Sequence, residues 1–150
     1  MRSHLFAALA FLSCLQFLRA AGAPETRDVV VYGGTSGGVA AALQAARMGR
    51  TVVLIEPTRF LGGLTTGGLG ATDIVNKRAI GGIAREFYGR IWKHYQQPSA
   101  WNRQKKEDYT NRRGSGSEPA ETTMWTFEPH VATKVYDDLL REAEIGRAHV

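Results

Sequence analysis

The apolar positions near the start of the chain alternate with glycine-rich and alanine-rich stretches in the order strand, turn, helix, strand. Residues 29–32 form a short β-branched and aromatic run, which is typical of a strand buried on both faces. Residues 39–48 form an alanine-rich helix, Gly49 is placed to end it with a positive φ, and residues 51–55 form a second apolar strand. The pattern predicts a βαβ unit of an α/β fold, with Glu56 at the end of its second strand.

Further along the chain, apolar residues recur at helical spacing in two segments. Residues 80–95 have steps of three and one, which predict an amphipathic helix whose aromatic side chains belong to the core, with Glu86 and Arg90 paired on the exposed side. Residues 96–123 are polar and predict an exposed insertion. Residues 124–128 suggest a short strand, and Pro129 opens a second helix that extends to Ala143.

The turn between the two predicted strands contains the candidate binding residues. Aligned to G-x-G-x-x-G, it has glycine at the first and third positions and threonine at the middle one; its residues are Gly33, Gly34, Thr35, Ser36, Gly37 and Gly38. Such a turn directs backbone N–H groups and the positive end of a helix dipole at a pyrophosphate. The middle glycine normally allows close approach, but the Thr35 hydroxyl can donate to a phosphate oxygen. Glu56 is placed to accept hydrogen bonds from an adenosine ribose.

The residues that follow Glu56 resemble those of a flavoprotein family. Gly62 and Gly63, followed by Leu64, come six to eight positions after the acid, and a second glycine pair follows at 67–68. With the turn, this resembles the FAD-dependent oxidoreductases of the glutathione-reductase-like, two-dinucleotide-binding-domain type, and within them a subgroup of often secreted bacterial enzymes. The resemblance covers about residues 28–143.

This resemblance implies a fold, a cofactor and a reaction. The fold would be a Rossmann-like FAD/NAD(P)-binding domain, truncated after its first βαβ half plus an inserted helical and loop excursion. FAD would be the cofactor, with residues 62–64 passing near its pyrophosphate and ribityl chain, and the flavin would accept a hydride from an unidentified organic small molecule. No catalytic residue can be assigned from this sequence.

The first 23 residues have the organisation of a signal peptide. A mostly apolar segment at 5–18 is too short to cross a bilayer comfortably, and the small residues that follow allow cleavage after Ala23 or Gly22. Cys14 is a poor lipoprotein candidate because its preceding residues do not form a lipobox. We therefore expect export to the periplasm or medium, with no stable membrane insertion after cleavage.

Charge and cysteine content narrow the possible partners. The chain has a net charge of +5, and removing Arg2 and Arg19 with the leader leaves a mild charge with no basic block, so nucleic acid is not expected as a partner. Cys14, the only cysteine, would also be removed. The remaining residues therefore offer no disulfide, no thiolates for an iron–sulfur cluster and no predicted metal site.

The last residues, 144–150, do not continue the pattern. They follow a helix without a cap or turn residues and resemble a translated sequencing-adapter read-through. We interpret them as a sequencing artefact and exclude them from the predicted fold. The domain prediction is therefore a leader at 1–23 and the first part of an FAD-binding domain at 24–143.

Two other functions remain open at this point. Residues 34–38 also spell G-x-S-x-G, which would make Ser36 the nucleophile of a serine hydrolase with His94 or His130 as its base. The serine hydrolase interpretation gives no role to Glu56 or to the Gly62–Gly63 pair. The other alternative is a flavin- or nucleotide-binding protein without turnover.

Overall fold

The computed structural model describes residues 25–109 and 122–148, which contain a parallel three-stranded sheet in the order β1-β2-β3. The strands are β1 (Val29–Tyr32), β2 (Val52–Ile55) and β3 (Gly146–Ala148). Helix α1 (Ser36–Arg47) makes the crossover from β1 to β2, and Gly49 follows it with a φ of 78°. This is the predicted α/β fold, with the parallel sheet and helical crossover of a partial Rossmann-like domain.

Strand β3 shows that the exclusion of residues 144–150 from the predicted fold is wrong for Gly146–Ala148. The prediction excludes residues 144–150 from the fold, yet Gly146–Ala148 pairs with β2 in a register that places Val53 beside Gly146. Glu56 N donates to Ala148 O at 3.0 Å, which extends the pairing by one residue. Main-chain hydrogen bonds hold an edge strand such as β3 to its neighbour. Its side chains therefore need not form the apolar pattern by which a strand is recognised in a sequence. The artefactual origin of residues 144–150 stays a prediction.

The core lies on one face of the sheet, between the strands and three helices. Helix α2 (Gly82–His94) and helix α3 (Pro129–Glu142) pack on each other and on α1. Both were predicted, and Phe87, Ile91 and Tyr95 are buried as the pattern required. Proline at the first helical position of α3 loses no intrahelical bond, because that N–H has no partner there in any helix.

No described residue covers the opposite face of the sheet, although the composition of β1 is typical of a strand that is buried on both faces. The side chains of Val30 and Tyr32 are 59% and 71% exposed, whereas Val52 and Leu54 are buried against the helices. Strand residues alternate between faces, so only every second side chain of β1 meets the core. A doubly wound sheet carries helices on both faces, and the described residues supply one of these layers.

The segment predicted as an exposed insertion is partly packed. Trp101 and Tyr109 lie against the core and Thr123 is buried, although the middle of the insertion is outside the described residues. Residues 124–128 do not join the sheet as a strand. Instead, Thr126 forms an isolated antiparallel bridge with Ala71, and Phe127 N donates to Gly70 O at 2.8 Å.

Four charged side chains connect the three helices. Glu86 on α2 pairs with Arg47 on α1 at 2.8 Å and, as predicted, with Arg90 at 3.0 Å; Arg90 in turn pairs with Glu142 on α3 at 2.6 Å. The hydrogen bond from Arg47 is the largest cause that lowers the pKa of Glu86 below its ordinary value.

Candidate functional site

The glycine turn is shaped by the way β1 ends and α1 begins. Gly33 has a φ of 103°, a conformation that other residues rarely adopt. Thr35 is the N-cap of α1, and its hydroxyl oxygen accepts a hydrogen bond from Gly38 N at 3.2 Å. The threonine at the middle fingerprint position therefore has a structural role as a cap, which motif matching alone did not indicate. Its hydroxyl hydrogen is not used in that bond.

Gly38 is the point of closest approach between α1 and β1. A Cβ at this position would overlap the carbonyl oxygen of Gly33 and would lie 3.6 Å from Val31 Cγ1. Only glycine permits this packing, as the third fingerprint position requires. Gly37 differs because a Cβ there would meet only Thr35 Oγ1, at 3.8 Å, so its outer side is open.

Glu56 lies directly beside the turn. Its Oε2 accepts a hydrogen bond from Gly34 N at 2.6 Å, and its Oε1 accepts one from Thr58 N at 2.8 Å. The acid at the end of β2 thus bridges the glycine turn and the start of the next loop. A carboxylate in this place can accept hydrogen bonds from sugar hydroxyls.

The loop that contains the glycine pair is bonded to the same turn. Gly62 N donates to Gly34 O at 2.6 Å, and Ser36 Oγ donates to Gly62 O at 2.9 Å. A 3₁₀ turn at Gly63–Thr65 follows, in which Thr65 Oγ1 lies 2.8 Å from Ser36 Oγ. All ten predicted residues are therefore within one small region, although the side chain of Leu64 projects into solvent.

Tyr136 is a residue of this region that sequence reasoning did not find. It lies on α3, and a Cβ at Gly62 would come within 2.6 Å of its ring, so Gly62 is required for the ring to pack. Burial raises the pKa of Tyr136, while hydrogen bonds with Ser36 and Thr65 act in the opposite direction. Its position in the amphipathic pattern of α3 identifies it only as a core residue.

The arrangement is suited to binding an anion. The first helical N–H groups have no intrahelical partner; Thr35 caps that of Gly38, and the parallel bridge between Thr35 and Gly62 directs that of Ser36 at Gly62 O. The N–H of Gly37 is left at the N-terminus of α1. No acidic residue occurs in this first turn, so the positive end of the helix dipole is not offset within the helix. The open sides of Gly33 and Gly37 leave room for a phosphate group.

The serine hydrolase alternative does not fit these contacts. The Ser36 hydroxyl donates to Gly62 O, whereas a nucleophile should donate to a base. Tyr136 contacts Ser36, and His130 precedes it by six residues on α3, which is about 9 Å along a helix axis. His94 and His130 instead line a common cavity with Glu128. Neither histidine is placed to activate Ser36.

A parallel sheet, a glycine turn at a helix N-terminus and an acid at the end of β2 define a nucleotide-binding domain of the Rossmann type. Residues 28–148 match the family model described as FAD dependent oxidoreductase. The chain belongs to this FAD-dependent oxidoreductase family, which implies FAD as the cofactor.

The chain was also compared with solved structures and with curated proteins. The chain is similar to the crystal structure of 3-ketosteroid-Δ4-(5α)-dehydrogenase from Rhodococcus jostii RHA1 in complex with 4-androstene-3,17-dione, with 15% sequence identity and a TM-score of 0.44. The match covers 88% of this chain and 39% of that one, so the chain spans well under half its length. Comparison with curated proteins gave no match.

The described residues contain neither a candidate membrane span nor a cluster of metal ligands. None of the helices at 25–109 and 122–148 is long and apolar enough to cross a membrane. The same residues contain no cluster of three or more His, Cys, Asp or Glu side chains that could hold a metal ion.

Proposed function

We propose that the full-length protein binds FAD through this site and uses it to take a hydride from an organic small molecule. One observation supports the proposal most: the loop at 62–65 is hydrogen-bonded to the glycine turn beside Glu56, so the ten candidate residues lie close together. A plain βαβ unit with a glycine turn does not require this second loop.

Each group has a role that follows from its chemistry. The N–H of Gly37 and the positive end of the α1 dipole would bind the pyrophosphate, and Glu56 would accept hydrogen bonds from the adenosine ribose. Gly62, Gly63 and Leu64 would border the pyrophosphate and ribityl chain. FAD supplies the hydride chemistry when bound, whereas these residues bind and orient it.

A visible spectrum of the purified full-length protein tests the cofactor. We expect flavin bands, either as purified or after reconstitution with FAD. Protein that shows no flavin bands after reconstitution but binds NAD saturably would contradict the proposal. A bound flavin that no substrate or reductant bleaches would instead favour the non-catalytic alternative.

Glu56→Gln tests the ribose contact in the same protein. Loss of hydrogen bonds to a charged acceptor is expected to weaken FAD binding by about 1.5–3 kcal/mol, or about 10- to 150-fold. Glu107→Gln is the matched control, because Glu107 is exposed and lies outside the site. Equal FAD affinity of both variants would remove Glu56 from the site.

We also propose that the protein is exported. The proposal rests on the apolar segment at 5–18 and the small residues after it, which are outside the described residues. N-terminal sequencing of protein from the extracytoplasmic fraction should find a mature form that begins at Pro24 or Ala23. A mature cytoplasmic protein that still begins at Met1 would contradict export.

A further inference from the structure

A separate cleft lies between the end of α2, the segment at 98–109 and the start of α3. It encloses about 180 Å³, and its walls include four aromatic side chains together with Glu128 and Arg103; the four are Tyr95, Trp101, Tyr109 and Phe127. None of the described residues that line it belongs to the glycine turn or to the loop at 62–65.

The aromatic side chains present carbon surface to this cleft because their polar atoms are already bonded. Trp101 Nε1 donates to Tyr95 O at 2.9 Å, and Tyr109 OH donates to Thr126 O at 3.0 Å. The ring of Trp101 is inclined to that of Tyr95 by 54° and to that of Tyr109 by 67°. Their centroids lie 5.2 and 5.5 Å apart, so the three rings pack on one another and form a continuous aromatic wall. An organic cation can lie against such a wall on the side of the cleft.

The charge in the cleft comes from Glu128. This residue is the N-cap of α3, yet its side chain makes no capping hydrogen bond. Its Oε2 instead accepts a hydrogen bond from Tyr95 OH at 3.0 Å, which directs the carboxylate into the cleft. Burial raises the pKa of Tyr95 to about 12, so this tyrosine stays neutral and keeps its proton for Glu128.

The Glu128 carboxylate is already paired with a cation, the guanidinium of Arg103. Its Nε lies 3.4 Å from Glu128 Oε1, while its side chain is 86% exposed. An exposed ion pair of this length contributes little and is easily exchanged. A cation that could also contact the rings would compete with Arg103 for the carboxylate.

A second cavity of about 310 Å³ adjoins the first, with Arg103 and Glu128 at the shared boundary. Its other walls are mainly polar and include Ser99, Asn102 and His130. A ligand that extends from the aromatic part into this cavity would therefore need a polar tail.

We propose that this cleft binds a small organic cation, a methylated ammonium group with a short hydroxylated tail. The ammonium lies against the ring faces of Trp101 and Tyr109 with Glu128 as its counter-charge, and it displaces the Arg103 guanidinium. The tail occupies the adjoining polar cavity. The site is independent of FAD binding, so its test does not depend on the proposed oxidoreductase function.

Isothermal titration of the full-length protein with choline tests the proposal. The control ligand is 3,3-dimethylbutan-1-ol, which has the same shape without the charge. Saturable choline binding at concentrations below about 10 mM, with binding of the neutral analogue at least about tenfold weaker, would support the site. Absence of choline binding, or equal binding of both ligands, would show that the rings serve only to pack the fold.

Three variants locate the binding. Glu128→Gln should weaken choline binding by about tenfold, whereas Glu142→Gln, which removes an acid outside the cleft, should leave it unchanged. Arg103→Gln does not affect buried structure and should strengthen binding by removing the competing cation. Equal effects of the two glutamate variants, or choline binding that Arg103→Gln fails to strengthen, would overturn the assignment.

Discussion

The close contact between α1 and β1 predicts that two adjacent glycines respond in opposite ways to the same substitution. Gly38→Ala places a methyl group onto the carbonyl of Gly33, whose carbon would lie only 3.1 Å from it. The obstacle is backbone, so no side chain can rotate away and the helix must move from the strand. Gly37→Ala meets only Thr35 Oγ1, at 3.8 Å.

The expected energies follow from two opposing effects. Alanine in place of glycine inside a helix favours folding by about 1 kcal/mol, and both variants gain this. Overpacking against a fixed neighbour costs about 3 kcal/mol at the upper end of the usual range, and only Gly38→Ala incurs it. Gly37→Ala should therefore be about 1 kcal/mol more stable than the original protein, and Gly38→Ala about 2 kcal/mol less stable.

Urea unfolding of the full-length apoprotein measures this difference. FAD is left out because a bound cofactor would stabilise the variants unequally. A gap of about 3 kcal/mol corresponds to a midpoint difference of about 1.5 M for a slope of about 2 kcal/mol/M. Equal midpoints for Gly37→Ala and Gly38→Ala would refute the close packing and, with it, the assignment of Gly38 as the third fingerprint glycine.

Two further predictions concern charged side chains. The pKa of Glu86 is lowered below its ordinary value of 4.5, so the stabilisation from its pair with Arg47 is present above that pH and is lost as pH falls through the lower, folded-state pKa. Between pH about 5 and about 3, urea midpoints should fall more steeply in the original protein than in Glu86→Gln, and parallel curves would contradict this. Lys77 is only 2% exposed, and its ammonium has no hydrogen-bond partner among residues 25–109 and 122–148 and lies 5.8 Å from the centre of the Trp125 ring. Lys77→Met should therefore raise the free energy of unfolding by about 1 kcal/mol. A decrease of about 1 kcal/mol would instead mean that the surrounding protein stabilises the buried ammonium.

The local elements could be predicted because their signals are local. Strand β1 covers the predicted residues, β2 begins one residue later than predicted, and α2 and α3 show the expected buried positions. Alternation and helical spacing depend on neighbours within a few residues, and a glycine turn depends on its own dihedral angles. The ten candidate residues could likewise be named in advance, because the motif and the flavoprotein resemblance both depend on short spacings.

Only the tertiary structure decided how these residues meet and what lies around them. The contact of Tyr136 with Gly62 joins residues on distant elements, and the use of Thr35 as a helix cap depends on the backbone direction at the turn. The pairing of Gly146–Ala148 with β2 relies on main-chain bonds that side-chain patterns do not report. The open face of β1 also depends on which layers are present beside the sheet. The sequence by itself thus determined the nucleotide-binding unit, which depends on local spacing, and its resemblance to the flavoproteins indicated the cofactor class. The surroundings of the site depend on long-range packing, which local spacing does not report.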